Sequence, residues 1–555
     1  MTELTARPAP PPHPGPAPVR SAAPPAVSEF LPKIVTVLRE GYHLADLRAD
    51  AMAGLTVAIV ALPLSMAIAI ASGVGPERGL FTSIIGGFLV SVLGGSRYQI
   101  GGPAGAFIVL VAGCVTAIGV PGLMLATALS GLFLTAAGLL RLGSYVKFIP
   151  YPVTLGFSAG IAVIIFSSQI KDLFGLHLTG AEPAAVLPKV AALWAARTTF
   201  GAPSALVALA TILMIVGIKR AAPRLPNLLI AVTVAALAVF LFHLPVETIF
   251  DRFGALPRTP PAPVLPALDW ASLQAALPYA LSFTLLGAIE SLLSAVVADG
   301  MSGARHRSNA ELVAQGLANV GSALFGGICV TGTIARTATN VRAGSRGPVS
   351  GMLHALFVLA FMLIAAPLAG HIPLAALAGV LAVVAWNMAE KVEIWAIARS
   401  SRADAVVIVV TFGLVTFRDL TEGIVTGFAL AGLVFLRRMS QTASIEFAPE
   451  ISPRQDRVVV RLSGPYFFGA AAQTGHMLDQ IAAHPRHFVL DLSDLDYLDS
   501  SGARALELLA HRIRRNKGQM VLLGVRADQR GALEQAGLVP PLALYAASLQ
   551  ALDAV

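Results

Sequence analysis

The chain has 555 residues, of which 56% are hydrophobic and only 13% are charged, and its mean hydropathy is +0.75. Soluble proteins carry about 25% charged residues, so this composition excludes an ordinary cytosolic multidomain enzyme and a disordered protein. The formal net charge of +8 does not indicate nucleic-acid binding, because the basic side chains stand singly or in pairs between apolar segments and form no stripe.

The chain begins with a proline-rich tail. Nine prolines among the first 28 residues exclude the apolar helix of a signal peptide and predict a disordered tail over 1–28. Residues 29–47 are predicted to form a short amphipathic helix that leads into the membrane. We therefore assign 1–47 to a cytoplasmic N-terminal segment.

Apolar stretches of roughly 17–25 residues, the length that crosses a bilayer, recur over the next four-fifths of the sequence. They predict a polytopic α-helical transmembrane domain over 48–439 with fourteen segments. The predicted segments are 49–72, 77–93, 103–119, 121–140, 152–170, 203–218, 226–243, 277–298, 309–325, 333–343, 349–369, 373–388, 404–417 and 421–436.

Charge in the loops predicts the orientation. With the N-terminus inside, the cytoplasmic loops carry about twice as many Lys and Arg side chains as the outer loops, as the positive-inside rule requires. An even number of segments then places both termini in the cytoplasm. We expect a multi-pass protein of the cell (inner) membrane.

The composition changes abruptly after Arg438. Strand patterns at 458–464, 487–493 and 520–525 alternate with a helix pattern at 501–515, which predicts a small cytoplasmic α/β domain over 445–555. Asp499 precedes that helix and is interpreted as its N-cap. The neighbouring Ser500 and Ser501 are the alternative, as a phosphorylation or partner-contact site.

Two of the membrane segments are short and begin with helix-breaking residues. Gly101-Gly102-Pro103-Ala104-Gly105 precedes the third segment, and Thr331-Gly332-Thr333 precedes the tenth. These are equivalent positions in two inverted halves of seven segments, and paired broken helices of this kind indicate a transporter's binding site. Two helix N-termini that meet at mid-membrane favour an anion. The alternative is that the glycines only permit close helix packing.

Two charged residues fall at membrane depth. Arg336 lies one turn into the tenth segment, where an arginine costs about 2.5–3.5 kcal/mol to insert, which indicates a substrate-facing role; a snorkelling or ion-paired arginine is the alternative. Glu290 lies midway along the eighth segment and shares a helical face with Phe283, Gly287 and Ser294. A carboxyl at this depth can carry a proton; a cation site and a buried structural glutamate are the alternatives.

The remaining candidates predict no further chemistry. Cys114 and Cys329 lie in apolar surroundings and are interpreted as buried thiols. Asp299 and Glu311, at predicted helix ends, are expected to be solvated, and His306 and His371 are expected at the surface. No phosphate-binding loop or zinc-ligand spacing occurs in the sequence, so we expect no cofactor, no metal and no enzymatic activity.

Three stretches together resemble the sulfate permease (SulP) family of anion transporters. The first two are ALPLSMAIAIASGVGPERGLFTSIIGGFLVSVLGGSRYQIGGPAGAF (61–107) and GAIESLLSAVVADGMSGARHRSNAELVAQGLANVGSALFGGICVTGTIARTATNVRAGS (287–345). LDLSDLDYLDSSGARAL (490–506) is similar to a STAS domain, and its serine pair resembles the phosphorylation motif of anti-sigma-factor antagonists.

This resemblance implies fourteen segments in a seven-plus-seven inverted repeat with core and gate domains, and an anion held between the third and tenth helices. The family's anion-binding positions carry over onto Pro103, Ala104, Gly105, Thr333, Ala335 and Arg336. The coupling-ion positions carry over onto Glu290 and Ser294. Sodium-coupled bicarbonate relatives tend to have Asp at the first of these, so Glu290 favours a proton.

The first segment departs from many eukaryotic members, since Leu64 and Ile68 stand where those have Gln and Tyr. Its pattern, together with QIKDLFGL (169–176), is closer to bacterial C4-dicarboxylate members. The resemblance therefore implies a homodimeric, proton-coupled symporter of a C4-dicarboxylate, sulfate or bicarbonate. An anion channel, an uncoupled exchanger, a sodium-coupled bicarbonate symporter and a signalling receptor with a STAS output are the alternatives.

Overall fold

The computed structural model describes residues 29–145, 150–180, 182–183, 185–223, 225–418, 420–447, 457–467, 469–470 and 487–546. The proline-rich tail over 1–28 lies outside these residues. In the order of the chain, the elements before the eighth predicted segment are α1 (Lys33–Glu40), α2 (Leu44–Ala71), α3 (Pro76–Phe81), a π-helical turn (Thr82–Gly86), α4 (Gly87–Leu93), β1 (Gly101–Gly102), α5 (Ile108–Leu139), α6 (Tyr151–Leu173), α7 (Val186–Ala195), α8 (Ala202–Ala221), α9 (Asn227–Phe242) and α10 (Ile249–Phe253).

The second half of the membrane domain continues in the same way. Its elements are α11 (Trp270–Ser302), α12 (Ser308–Leu324), β2 (Thr331–Gly332), α13 (Ile334–Arg342), α14 (Val349–Ala369), α15 (Leu374–Met388), α16 (Lys391–Ser400), α17 (Arg402–Phe417) and α18 (Leu420–Thr442).

The fourteen predicted membrane segments coincide with helices. Eight helices in the described part of the chain are long and apolar enough to cross a membrane, and the apolar α9 is shorter. The third and fourth segments form one long helix that bends at Gly119, whose φ of +69° is a left-handed conformation that glycine adopts readily. The predicted lead-in helix is shorter than expected: α1 ends at Glu40, and α2 already begins at Leu44.

Close helix packing in the membrane domain depends on small residues. A Cβ at Gly131 of α5 would lie 2.6 Å from the carbonyl oxygen of Gly316 in α12, and a Cβ at Gly316 would lie 2.5 Å from that of Gly131. Gly54 of α2 approaches the Ser350 carbonyl of α14 in the same way, at 2.5 Å. Small residues allow backbones to approach where lipid supplies no hydrophobic driving force between helices.

The chain divides into two compact units, one of residues 1–149 with 161–389 and one of residues 150–160 with 390–555. The first unit contains both broken segments and all of the residues of the candidate site described below. The second contains α16, α17, α18 and the C-terminal α/β domain.

The C-terminal domain has the predicted α/β fold. Its elements are β3 (Ser444–Phe447), β4 (Arg457–Tyr466), β5 (His487–Asp491), β6 (Leu495–Leu498), α19 (Ser500–Arg515), β7 (Gln519–Leu523), α20 (Ala527–Gln535) and β8 (Ala543–Ala546). The strands β4, β5, β7 and β8 are parallel neighbours, and β3 pairs antiparallel with β4 at the edge. The apolar face of α19, including Leu506 and Ile513, packs against Leu462, Phe488 and Leu490. The predicted strands and helix of this domain are therefore confirmed.

Two polar residues that the sequence assigns to solvent are buried. Glu311 is fully buried, because the loop that contains Ser96 covers this helix end. The buried carboxylate accepts a hydrogen bond from the Ser96 N–H (2.9 Å). His306 is only 4% exposed, with its ring held between Asp299 Oδ2 (2.6 Å) and Ser308 Oγ (3.0 Å). The prediction of surface positions for these two was wrong, whereas His371 is exposed and both cysteines are buried as expected.

Candidate functional site

The two broken segments meet at a short two-stranded ribbon. Strand β1 pairs antiparallel with β2, with Gly101 opposite Gly332 and Gly102 opposite Thr331. The Thr333 N–H extends the ladder by donating to the Ile100 carbonyl oxygen at 3.0 Å. Because a helix starts directly after each strand, the ribbon places the two helix starts side by side.

Both helix starts offer unpaired backbone N–H groups. After β1, a 3-10 turn over Gly105–Phe107 leads into α5, and the N–H groups of Gly105 and Ala106 donate to no group within the described ranges. At the start of α13 the N-cap Thr333 makes no capping hydrogen bond, and the N–H groups of Ile334 and Ala335 have no described partner either. Such ends carry partial positive charge and bind anions.

These helix starts are not equally covered. Pro103, Ala104 and Thr333 are buried, Gly105 is half-buried, and Ala335 is exposed. The start of α13 is therefore uncovered on the side of Ala335.

Arg336 lies at the same place and is the largest fully buried side chain of the described residues, at 1% exposure. Its Nη2 donates to Ser65 Oγ (3.0 Å) and to the Pro103 carbonyl oxygen (3.3 Å), and its Nη1 donates to Ser83 Oγ (3.3 Å). Nε has no partner, and no carboxylate of the described residues forms an ion pair with this guanidinium. A buried charge held only by neutral groups is unfavourable, so the arrangement fits a site that receives an anion.

Sequence reasoning missed the two serines that hold Arg336. Ser65 lies in α2 and Ser83 in the π-helical turn, and their hydroxyl groups are 2.8 Å apart. Turns of this kind occur often at functional sites. Both serines stand in the stretch 61–107 that carries the family resemblance, but nothing in the local pattern of the sequence places either of them beside Arg336.

Gly102 is required by the position of Arg336. A Cβ at Gly102 would lie only 2.1 Å from Arg336 Nη1, closer than non-bonded atoms can approach. The glycine of the ribbon therefore makes room for the guanidinium next to Pro103.

The face of α11 that carries Glu290 is turned toward this ribbon. Thr331 Oγ1 donates to the Gly287 carbonyl oxygen (3.4 Å), and Ser294 Oγ donates to Thr337 Oγ1 (3.0 Å). Thr337 Oγ1 in turn accepts the Ile100 N–H at 3.1 Å. Further along the same face, the rings of Phe283 and Phe107 lie 6.0 Å apart between centroids.

Glu290 stands between the two contacts just described, three residues after Gly287 and four before Ser294, so it lies on the same side of the helix. Its side chain is half-buried and has neither a hydrogen bond nor an ion pair in the described part of the structure. The structure thus brings the six predicted anion-site residues together at one ribbon, with Glu290 and Ser294 on the helix beside it.

The serine pair of the C-terminal domain is placed at the start of α19. Asp499 Oδ1 accepts the Gly502 N–H at 2.6 Å and caps the helix, as interpreted from the sequence. Ser500 and Ser501 are both exposed. Their role as a modification or contact site stays a prediction.

Gly105→Val is expected to abolish anion binding while the protein still inserts and purifies. A Cβ there would lie 3.2 Å from Ile165 Cδ1 and 3.8 Å from Met388 Sδ, so a single carbon fits after a small shift. A branched side chain would cover the free N–H groups of the turn and restrict its backbone.

Binding of labelled sulfate to the purified variant checks this. The control is Val109→Ile, a similar enlargement one turn later, which should bind normally. Normal binding by Gly105→Val would show that the start of the third segment does not line the site.

Comparison with known proteins identifies two regions of the chain. Residues 47–411 match the model described as "Sulfate permease family", and residues 448–551 match the STAS domain. The chain is 39% identical over 506 residues to "Putative sulfate transporter YvdB" of Bacillus subtilis, covering 90% of this chain and 95% of the relative. It is 31% identical to the bicarbonate transporter BicA of Synechocystis, covering 89% and 91%.

Solved structures of two transporters have a fold similar to that of this chain. Murine Solute Carrier 26 family member A9, an anion transporter, superimposes with a TM-score of 0.83 at 18% identity, covering 96% of each chain. The transmembrane domain of a cyanobacterial BicA matches with a TM-score of 0.61 at 30% identity, covering 70% of this chain and 98% of that one.

Proposed function

Because the chain belongs to the sulfate permease family, we propose that it is a secondary active transporter that moves a small anion by alternating access, driven by protons. The family's members named above are transporters and not enzymes, and the chain is a multi-pass membrane protein with a C-terminal STAS domain. The proposal concerns the anion, the coupling ion and the residues that hold them.

The observation that carries the proposal is the buried guanidinium of Arg336 at the meeting point of two helix starts. It has no carboxylate partner among the described residues, and free N–H groups lie on both helix starts beside it. We assign the anion site to Pro103, Ala104, Gly105, Thr333, Ala335 and Arg336.

The charge of the site favours a doubly charged anion. Arg336 contributes one positive charge, and each helix end contributes about half a charge. A doubly charged anion such as sulfate or a C4-dicarboxylate would neutralise this positive charge, whereas bicarbonate would leave about one positive charge uncompensated. Sulfate is also named in the Bacillus relative, while the pattern of the first segment favours a dicarboxylate.

Bicarbonate is the second candidate substrate. The relatives called BicA are bicarbonate transporters, and one of them is 31% identical to this chain. A sodium ion at Glu290 and Ser294 would then replace the proton. The glutamate at this position and its lack of a second carboxylate among the described neighbours favour the proton.

We further propose that both termini face the cytoplasm of the cell (inner) membrane and that the STAS domain regulates transport or supports a homodimer. The excess of basic residues in the predicted cytoplasmic loops supports this orientation.

Uptake into proteoliposomes tests the function. Labelled sulfate, fumarate and bicarbonate are offered to vesicles with an imposed pH gradient, an imposed sodium gradient, or neither. We expect one of the two dianions to accumulate above its external concentration only when the outside is acidic. Flux that equilibrates but never concentrates the anion would indicate a channel, and accumulation driven by sodium would indicate the bicarbonate-type alternative.

A further inference from the structure

Two apolar side chains lie against the start of the third segment, and the transport cycle proposed above does not use them. A Cβ at Gly105 would lie 3.2 Å from Ile165 Cδ1 and 3.8 Å from Met388 Sδ. Outside the turn itself, no other atom of the described residues lies within 4 Å of that position. Ile165 belongs to α6 and is fully buried, and Met388 is the half-buried last residue of α15. We call these two side chains the apolar wall of the site.

The apolar wall offers neither a charge nor a hydrogen-bond donor to this helix start. Residues 161–170 of α6 and 374–388 of α15 contain no charged side chain. The polar side chains that follow Ile165 in α6 bond within their own helix, since Ser168 Oγ donates to the Ile165 carbonyl oxygen and Gln169 Nε2 donates to Ser168 Oγ, both at 2.7 Å. On this side the helix start therefore borders on hydrocarbon and a thioether.

This contact distinguishes between kinds of anion. Arg336 and the two helix starts supply positive charge to any dianion, so charge alone does not separate sulfate from a dicarboxylate. Sulfate presents oxygen in every direction, and an oxygen turned toward the apolar wall would lose water without gaining a hydrogen bond, which is unfavourable. A C4-dicarboxylate has two carbons between its carboxylates, and burial of this hydrocarbon body against apolar side chains is favourable.

We propose that Ile165 and Met388 determine the specificity of the transporter by selecting a dianion with a hydrocarbon body, such as a C4-dicarboxylate, over sulfate. The inference rests on the proposed function and names the substrate class that its anion site prefers. Isoleucine is stiff because it is branched at Cβ, whereas methionine is flexible and adapts its shape to a partner. Ile165 thus fixes the position of the apolar wall, and Met388 adjusts to the length of the bound anion.

The test measures the affinity of the purified full-length protein for succinate and for sulfate by isothermal titration. Both probes carry two negative charges, so the ratio of their affinities reports the apolar wall and not the charge of Arg336. Two variants make the wall polar with little change of size, Ile165→Thr and Met388→Gln. Their matched controls are Ile164→Thr, at the neighbouring buried isoleucine of α6, and Met352→Gln, at a half-buried methionine of α14.

The wild type is expected to bind succinate about tenfold more tightly than sulfate or better, which is the discrimination that a methylene gives in an apolar pocket. Each wall variant should lower the ratio of the two affinities roughly tenfold, because succinate loses its apolar contact while sulfate gains a polar one. Both controls should leave the ratio unchanged.

The outcomes separate this inference from the proposed function. A wild type that binds sulfate as tightly as succinate, or a ratio that is unchanged in both wall variants, overturns the role of the apolar wall and leaves the proposed anion site intact. A wild type that binds neither dianion contradicts the proposed function and the inference with it. Should Ile165→Thr not fold, Met388→Gln decides, because it changes a side chain that is only half-buried.

Discussion

Glu290→Gln is expected to abolish accumulation of the anion on a pH gradient while exchange of anion for anion continues. Gln keeps the size of the side chain and can form hydrogen bonds, but it cannot bind and release a proton. The carboxyl stands beside the ribbon, on the face of α11 between Gly287 and Ser294, where its protonation can respond to the bound anion. A symporter without its coupling proton loses the driving force for uphill transport.

The measurement compares two assays on the same proteoliposomes. Net uptake with an acidic exterior should fall to the level set by equilibration, and exchange against internal unlabelled anion should remain measurable. Glu311→Gln is a useful comparison, because Glu311 is a buried carboxylate that is held by the Ser96 N–H and Gln315 and has no part in the proposed cycle. If Glu290→Gln still concentrates the anion, another group carries the coupling ion.

Arg336→Ala is expected to raise the dissociation constant of the anion about tenfold to hundredfold and to weaken anion binding more than it weakens folding. One hydrogen bond to a charged group is worth about 1.5–3 kcal/mol, which corresponds to that loss of affinity. Folding should suffer less, because the guanidinium has only neutral partners among the described residues. Removing an uncompensated buried charge relieves an unfavourable desolvation, which offsets part of the cost of the cavity left behind.

Two further variants distinguish the charge from its geometry. Arg336→Lys should restore affinity only in part, because lysine cannot present a planar fork of donors. Gly102→Ala keeps the arginine but displaces it, since the new Cβ would lie 2.1 Å from Nη1, and it should also weaken binding. Unchanged affinity in folded Arg336→Ala protein would mean that the helix starts bind the anion without the guanidinium.

The sequence predicted those parts of the structure that depend on local pattern. Apolar length located the fourteen segments, the glycines at 101, 102 and 332 located the broken helices, and helical spacing placed Glu290 and Ser294 on one face. Each of these follows from neighbours within a few residues.

Contacts between distant residues could not be predicted in this way. The register of β1 against β2, the two serines on Arg336 and the burial of Glu311 join residues more than 200 positions apart. In the sequence, His354 is a single polar residue in an apolar helix. Only the packing of the helices shows that its ring has no hydrogen-bond partner among the described residues.

The ribbon of β1 and β2 also bears on how the two halves of the membrane domain evolved. Its strands occupy equivalent places in the two halves and run antiparallel, with Gly101 opposite Gly332 and Gly102 opposite Thr331. This is the geometry of an isologous contact, in which the same patch of two identical subunits pairs across a two-fold axis. Each half supplies one strand and one helix start, so neither half forms the site without the other. A gene encoding a single half would therefore have needed two copies of its product, inserted in opposite orientations, before duplication and fusion joined them into one polypeptide.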